Sequence, residues 1–108
     1  MEMNEYQQQA LKTAIYSEDG RAVYAALGLT GEAGEVADKI KKVLRDHGGV
    51  FDMACKWEIV KELGDVLWYL SLMAHDLGFT LDDVAQMNLD KINSRQLRGR
   101  IHGTGDDR

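Results

Sequence analysis

The chain has 108 residues, 44% of them apolar and 29% charged, an ordinary globular balance that excludes disorder, collagen-like repeats and a multi-domain machine. Its 13 Lys and Arg against 18 Asp and Glu leave a net charge of −5, the wrong sign for gripping a phosphate backbone, so no nucleic acid is expected as a partner. The longest apolar run, Val66 to Ala74, falls well short of the roughly 20 residues that cross a bilayer, and the start Met1-Glu2-Met3-Asn4-Glu5 is acidic and polar, so no membrane partner and a cytoplasmic location are expected. A single cysteine, Cys55, provides neither an internal disulfide nor a thiolate zinc site, and packing alone must hold the fold.

Without proline, and with glycines mostly at the ends of periodic segments, the sequence predicts an all-α fold of four helices. The first spans about 4–15, with Asn4 and Gln7 at capping-box spacing, an apolar stripe of Tyr6, Ala10, Leu11, Ala14 and Ile15, and a stop at Asp19-Gly20. The second spans about 21–46, carries Val23, Ala26, Leu27, Ala33, Val36, Ala37, Ile40, Val43 and Leu44, and ends at Gly48-Gly49. Gly28, Gly31 and Gly34 inside it each cost up to about 1 kcal/mol relative to alanine. Close helix approach, a break near Leu29-Thr30, or clearance for a ligand are the readings open for them. The third helix follows Asp52 as N-cap and runs to Leu77, closed by Gly78; the fourth opens at Thr80, with Asp83 three residues on, and runs to Leu97. Residues 1–98 form the expected domain and 99–108 an aperiodic, extended tail.

Two acid-x-x-acid sequences stand out: Glu32 and Glu35 on the second helix, Glu62 and Asp65 on the third. Residues three apart share a side of a helix, so each helix presents two neighbouring carboxylates. At about 100° per residue, Glu32 and Glu62 each border an apolar stripe centred near +90° from them, with Glu35 and Asp65 near −60°. When the two stripes pack as an antiparallel pair, the carboxylates at their edges converge. Converging carboxylates repel and raise one another's pKa unless a cation joins them. An all-oxygen donor set suits Mg²⁺ or Mn²⁺ and disfavours zinc or copper; none of His47, His75 and His102 follows a glutamate by three, which sets a di-iron site aside. Magnesium so held keeps positions for water and phosphate oxygens, and Lys39 and Lys42 on the second helix with Asn88, Lys91 and Arg95 on the fourth are the candidate phosphate donors. Solvated helix surface and surface ion pairing are the alternative readings of these same residues.

This combination resembles the MazG-like nucleoside triphosphate pyrophosphohydrolases, over about Ala25 to Arg95. The family pattern of Glu-x-x-Glu followed by Glu-x-x-Asp is matched by Glu32, Glu35, Glu62 and Asp65, with Lys61-Glu62-Leu63-Gly64-Asp65-Val66-Leu67 especially close, and Asn88-x-x-Lys91-x-x-x-Arg95 is similar to the family's last core helix. The resemblance implies a four-helix domain with helices two and three antiparallel, completed by oligomerisation. It implies cleavage of a nucleoside triphosphate between the α and β phosphates to a monophosphate and pyrophosphate, as nucleotide-pool housekeeping. It implies Mg²⁺ on Glu32, Glu35, Glu62 and Asp65 as metal and catalytic residues; with the donor chemistry above, Mn²⁺ is the expected substitute and Lys39, Asn88, Lys91 and Arg95 are the residues expected on the substrate. Gly31 stands where family members commonly carry a first of two consecutive glutamates. The related phosphoribosyl-ATP pyrophosphohydrolases share this design, and a non-catalytic helical dimerisation module is the alternative of a different class.

Family relatives form dimers, or tetramers built from dimers. A second apolar face on the third helix, Trp57, Trp68 and Leu72, independently calls for a second partner, either the first helix or another subunit. Tyr69 continues the Glu62-Asp65 edge, as core lining or as a surface for a base. The tail, with its Gly103-x-Gly105-Asp106 ending, resembles that of close relatives in this subgroup.

Overall fold

Four helices follow in chain order, α1 (Met3–Leu11), α2 (Arg21–Asp46), α3 (Met53–Asp76) and α4 (Leu81–Leu97). The structure is a computed structural model that describes residues 1–16 and 21–108, and within these every regular element is helical. Asp19 and Gly20, expected to stop the first helix, lie outside the described residues. No helix among those described is long and apolar enough to cross a membrane.

The reversal between α2 and α3 is written locally. Gly48 and Gly49 take φ of 57° and 78°, a left-handed backbone that costs glycine nothing, and Gly49 N donates back to Val43 O at 3.1 Å. Asp52 then caps α3, its Oδ1 accepting from Cys55 N at 2.8 Å. The two helices run antiparallel, so residues rising along α2 meet residues falling along α3: Gly28 lies beneath Tyr69, and Lys39 reaches Glu58.

α2 stays helical through Gly28, Gly31 and Gly34, with no break at Leu29 and Thr30; the Thr30 hydroxyl donates to Ala26 O. The three glycines serve different ends. A Cβ on Gly28 would fall inside the Tyr69 ring, whereas Gly31 and Gly34 face open space.

α1 is shorter than its apolar stripe suggests, ending at Leu11 with Ala14 and Ile15 beyond it, and its N-cap is Glu2, whose backbone N meets Glu5 Oε2 at 3.5 Å. Asn4 and Gln7 do not form its capping box. Both instead serve the start of α4: Asn4 Oδ1 accepts from Asp82 N at 3.0 Å and Gln7 Oε1 from Leu81 N at 3.1 Å, while Gln7 Nε2 donates to Ser71 O and Phe79 O. Two of the donors that every helix N-terminus leaves unpaired are thereby satisfied from a distant part of the chain. Around this joint lies the dense part of the core, with Leu72, Leu81 and Ser71 wholly buried beside Ala10, Ala74 and Gln7.

The second apolar face of α3 is divided. Leu72 is buried and Trp68 Nε1 donates to Thr13 Oγ1 at 2.8 Å, in the segment after α1, but Trp57 remains 61% exposed. Among the described helices α2 packs on α3 only, with its Tyr24 ring also stacked on Tyr16 at 4.7 Å, and α4 packs on α1 and α3. Val23, Leu27 and Leu44 of the expected α2 stripe are accordingly exposed.

The residues after α4 are not extended. Gly99 turns the chain with a φ of 66°, and the Arg108 guanidinium donates to the main-chain oxygens of Arg100, Ile101 and Gly105 at 3.1, 2.7 and 2.7 Å. Arg98 donates to Arg108 O, closing the loop on itself.

Candidate functional site

Glu32 from α2 and Glu62 and Asp65 from α3 each offer a carboxylate oxygen, and these oxygens all lie within 4.8 Å of one another. Asp65 is exposed, whereas Glu32 and Glu62 are half-buried beside the packed stripes. Partial burial is the main reason the Glu32 carboxyl is pushed above its ordinary range; the Asp65 and Glu62 charges, a hydrogen bond with Glu62 and the Glu35 charge add to it. Glu35 lies one turn along α2, exposed and outside the three-oxygen group, and acts on it through its field. Helical phase does not explain the difference, since Asp65 takes the same step of about 60° from Glu62 and is also exposed, yet joins the group.

Aromatic hydroxyls border the group. The Tyr69 phenol, over Gly28, is pushed up chiefly by burial, then by a hydrogen bond to Tyr24 and by the Tyr24, Glu32 and Asp65 charges. Burial, followed by Asp65, also raises Tyr6 on α1. Tyr6 was expected only as part of an apolar stripe; its hydroxyl in the Asp65 field shows only once α1 is docked. Lys39 flanks the other side, with Nζ 3.4 Å from both Glu58 Oε2 and Glu62 Oε1. Lys42 is taken up by Asp38 at 2.9 Å.

The donor set is hard oxygen throughout, without imidazole or thiolate, and the crowding of like charge fits a divalent cation of the Mg²⁺ or Mn²⁺ type. Such a cluster can offset phosphate charge only with that cation in place.

Asn88, Lys91 and Arg95 share a face of α4, which has no contact with α2 among the described residues. Within one copy, the stripe and the helix that carries Glu32 and Glu35 stay on separate elements. Asn88 and Lys91 border a groove of about 430 Å³ with Phe79, Val84, Met87 and Asp106. Lys91 and the buried Arg95 both donate to Asp106, a residue that sequence reasoning left unused although its Gly-x-Gly-Asp setting marked the segment.

The MazG nucleotide pyrophosphohydrolase domain model matches residues 24–98, which take in α2 from Tyr24 onward with all of α3 and α4 and include all four acidic residues. The chain belongs to the MazG family. A protein of Mycobacterium phage L5 described as Gene 37 protein is 44% identical to it over 114 aligned positions that cover the whole of both chains. No solved structure gives a significant match. Membership carries nucleotide pyrophosphohydrolase activity as the family's general chemistry, typically dependent on a divalent metal, and the acidic group lies inside the matched segment.

Proposed function

We propose that the chain hydrolyses nucleoside triphosphates between the α and β phosphates to a nucleoside monophosphate and pyrophosphate, with Mg²⁺, or Mn²⁺ in its place, as the divalent ion. The observation that supports this most is the approach of Glu32, Glu62 and Asp65 across the α2–α3 pair inside a MazG segment. These three residues hold the ion, and Glu35 completes the set from the solvent side. When bound, the ion supplies positive charge for phosphate oxygens and makes water more acidic. Lys39 limits the spread of Glu62 and adds a cation near the phosphates, and Asn88, Lys91 and Arg95 supply further donors to them. The role that follows is nucleotide-pool housekeeping. A panel of nucleoside triphosphates incubated with the protein and Mg²⁺ should release pyrophosphate from at least one, and EDTA should abolish it. A folded protein that releases none from any overturns the reading.

The same reading includes self-association as a homodimer or a tetramer built from dimers. α2 packs on one helix only, and Val23, Leu27, Trp57 and Leu63 are at least half exposed, which is a poor arrangement for an isolated 12.1 kDa chain. Sedimentation velocity should give two or four times the chain mass; a monomer at micromolar concentration overturns this part alone.

A further inference from the structure

The cationic face of α4 already holds an anion. Lys91 Nζ donates to Asp106 Oδ1 at 2.9 Å, and the Arg95 guanidinium donates to the same oxygen at 3.2 Å and to the Asp106 main-chain oxygen. Exposure is lopsided, with the Arg95 side chain 9% exposed and that of Asp106 79%. An ion pair whose anion stays in water contributes little to stability, so holding the fold is a weak reason for this contact. The two cations keep the Asp106 carboxyl below its ordinary range, and it is ionised at neutral pH.

The loop brings Asp106 there by its own bonds. Arg108 donates three times to loop carbonyls, Arg98 closes the ring onto Arg108 O, and Gly99, Gly103 and Gly105 supply backbone with φ of 66°, 138° and 88°. None of these bonds passes through Asp106. Its carboxylate lies at the rim of the groove that Asn88 and Lys91 border. A carboxylate shared by a lysine and an arginine reproduces the way a phosphate is held, with fewer oxygens and less charge.

We propose that the loop after α4 is a latch that sets Asp106 on the Lys91–Arg95 pair in place of a phosphate group, and that an oligophosphate ligand binds there by displacing it. The inference rests on Lys91 and Arg95 being phosphate donors and makes this chain carry its own competitor for them. The three Arg108 bonds to Arg100, Ile101 and Gly105 lie within the loop and survive the exchange, whereas the Arg98 bond to Arg108 O and the Arg100 N bond to Arg95 O tie the loop to α4 and must loosen with it.

The test is a calorimetric titration of inorganic pyrophosphate in EDTA, where the acidic residues hold no metal. Asp106→Asn, a change of one oxygen to nitrogen, should bind pyrophosphate about three- to tenfold tighter than wild type. Arg108→Ala, which loosens the loop and leaves the cation pair intact, should shift affinity in the same direction. Adding Lys91→Ala to Asp106→Asn should remove the gain. Unchanged affinity in a folded Asp106→Asn protein overturns the latch, and weaker affinity overturns it in favour of Asp106 as a positioning residue for Lys91 and Arg95. Tighter pyrophosphate binding without hydrolysis of any triphosphate would keep the latch and remove the enzymatic reading; hydrolysis with unchanged pyrophosphate binding would do the reverse.

Discussion

At the α2–α3 edge, three carboxylates stand within 4.8 Å of one another with Lys39 on one flank, and Glu32 holds its proton more tightly than a free glutamate does. At the far end of α4, Lys91 and Arg95 stand together with Asp106 between them, and Asp106 gives up its proton more readily than usual. One region has an excess of negative charge, and the other offsets part of its own positive charge. A ligand therefore adds to the first, relieving repulsion, and exchanges at the second, replacing an internal partner. The two regions should answer oppositely to the same perturbations.

The largest contrast is expected from Glu32→Gln. It should lower turnover by roughly a hundred- to a thousandfold, on the scale of losing a group that stabilises transition-state charge, and yet raise the melting temperature of the metal-free protein by relieving the crowding. Steady-state kinetics and a thermal melt in EDTA check both halves. A lower melting temperature would mean that the cluster is not repulsive and that the comparison fails.

Geometry at the acidic edge is sharpened by glycine substitutions. Gly28→Ala drives a methyl into Tyr69, the ring that stands in the field of Glu32 and Asp65, and should destabilise by about 1–3 kcal/mol as overpacking does. Gly34→Ala meets open space and should gain up to about 1 kcal/mol from helix propensity. Denaturant midpoints of the two variants should move in opposite directions. A loss at Gly34 instead would show that a second copy covers it.

The smallest effect separates the two regions by pH. The folded state binds the Glu32 proton up to a higher pH than the unfolded chain does, so stability of the metal-free protein falls as pH rises from the ordinary carboxylate range through the raised value. Asp106 has the opposite sign: its contribution is present above the ordinary range and is lost as pH falls through the depressed value. Melting curves across pH for wild type, Glu32→Gln and Asp106→Asn resolve the two. Saturating Mg²⁺ should remove the Glu32 decline, since an ion bound only by the folded state stabilises it, and should leave the Asp106 step in place.

Much of this was legible in the residues. The bounds of α2, the Asp52 and Thr80 caps and the end of α4 at Leu97 follow from capping chemistry and apolar period, and the structure has them as expected. The convergence of Glu32, Glu62 and Asp65 was readable from their matching phase beside two stripes. Glu35 shared the motif but not the location, because spacing places a residue on a side of a helix without saying how far its carboxylate reaches. Asn4 and Gln7 were misread for a related reason. Capping-box spacing describes a local bond, and here the same side chains found better use on α4 N–H groups more than seventy residues away.

The sequence alone determined the helices, their order and the acidic motif, because each depends on interactions within a few residues along the chain. Only the tertiary structure decided which charges meet: that Lys39 stands against Glu58 and Glu62, that Tyr6 enters the field of Asp65, and that Asp106 returns to Lys91 and Arg95. Coulomb interactions and hydrogen bonds depend on distance in space, and that distance is set only when the helices dock and the last loop closes.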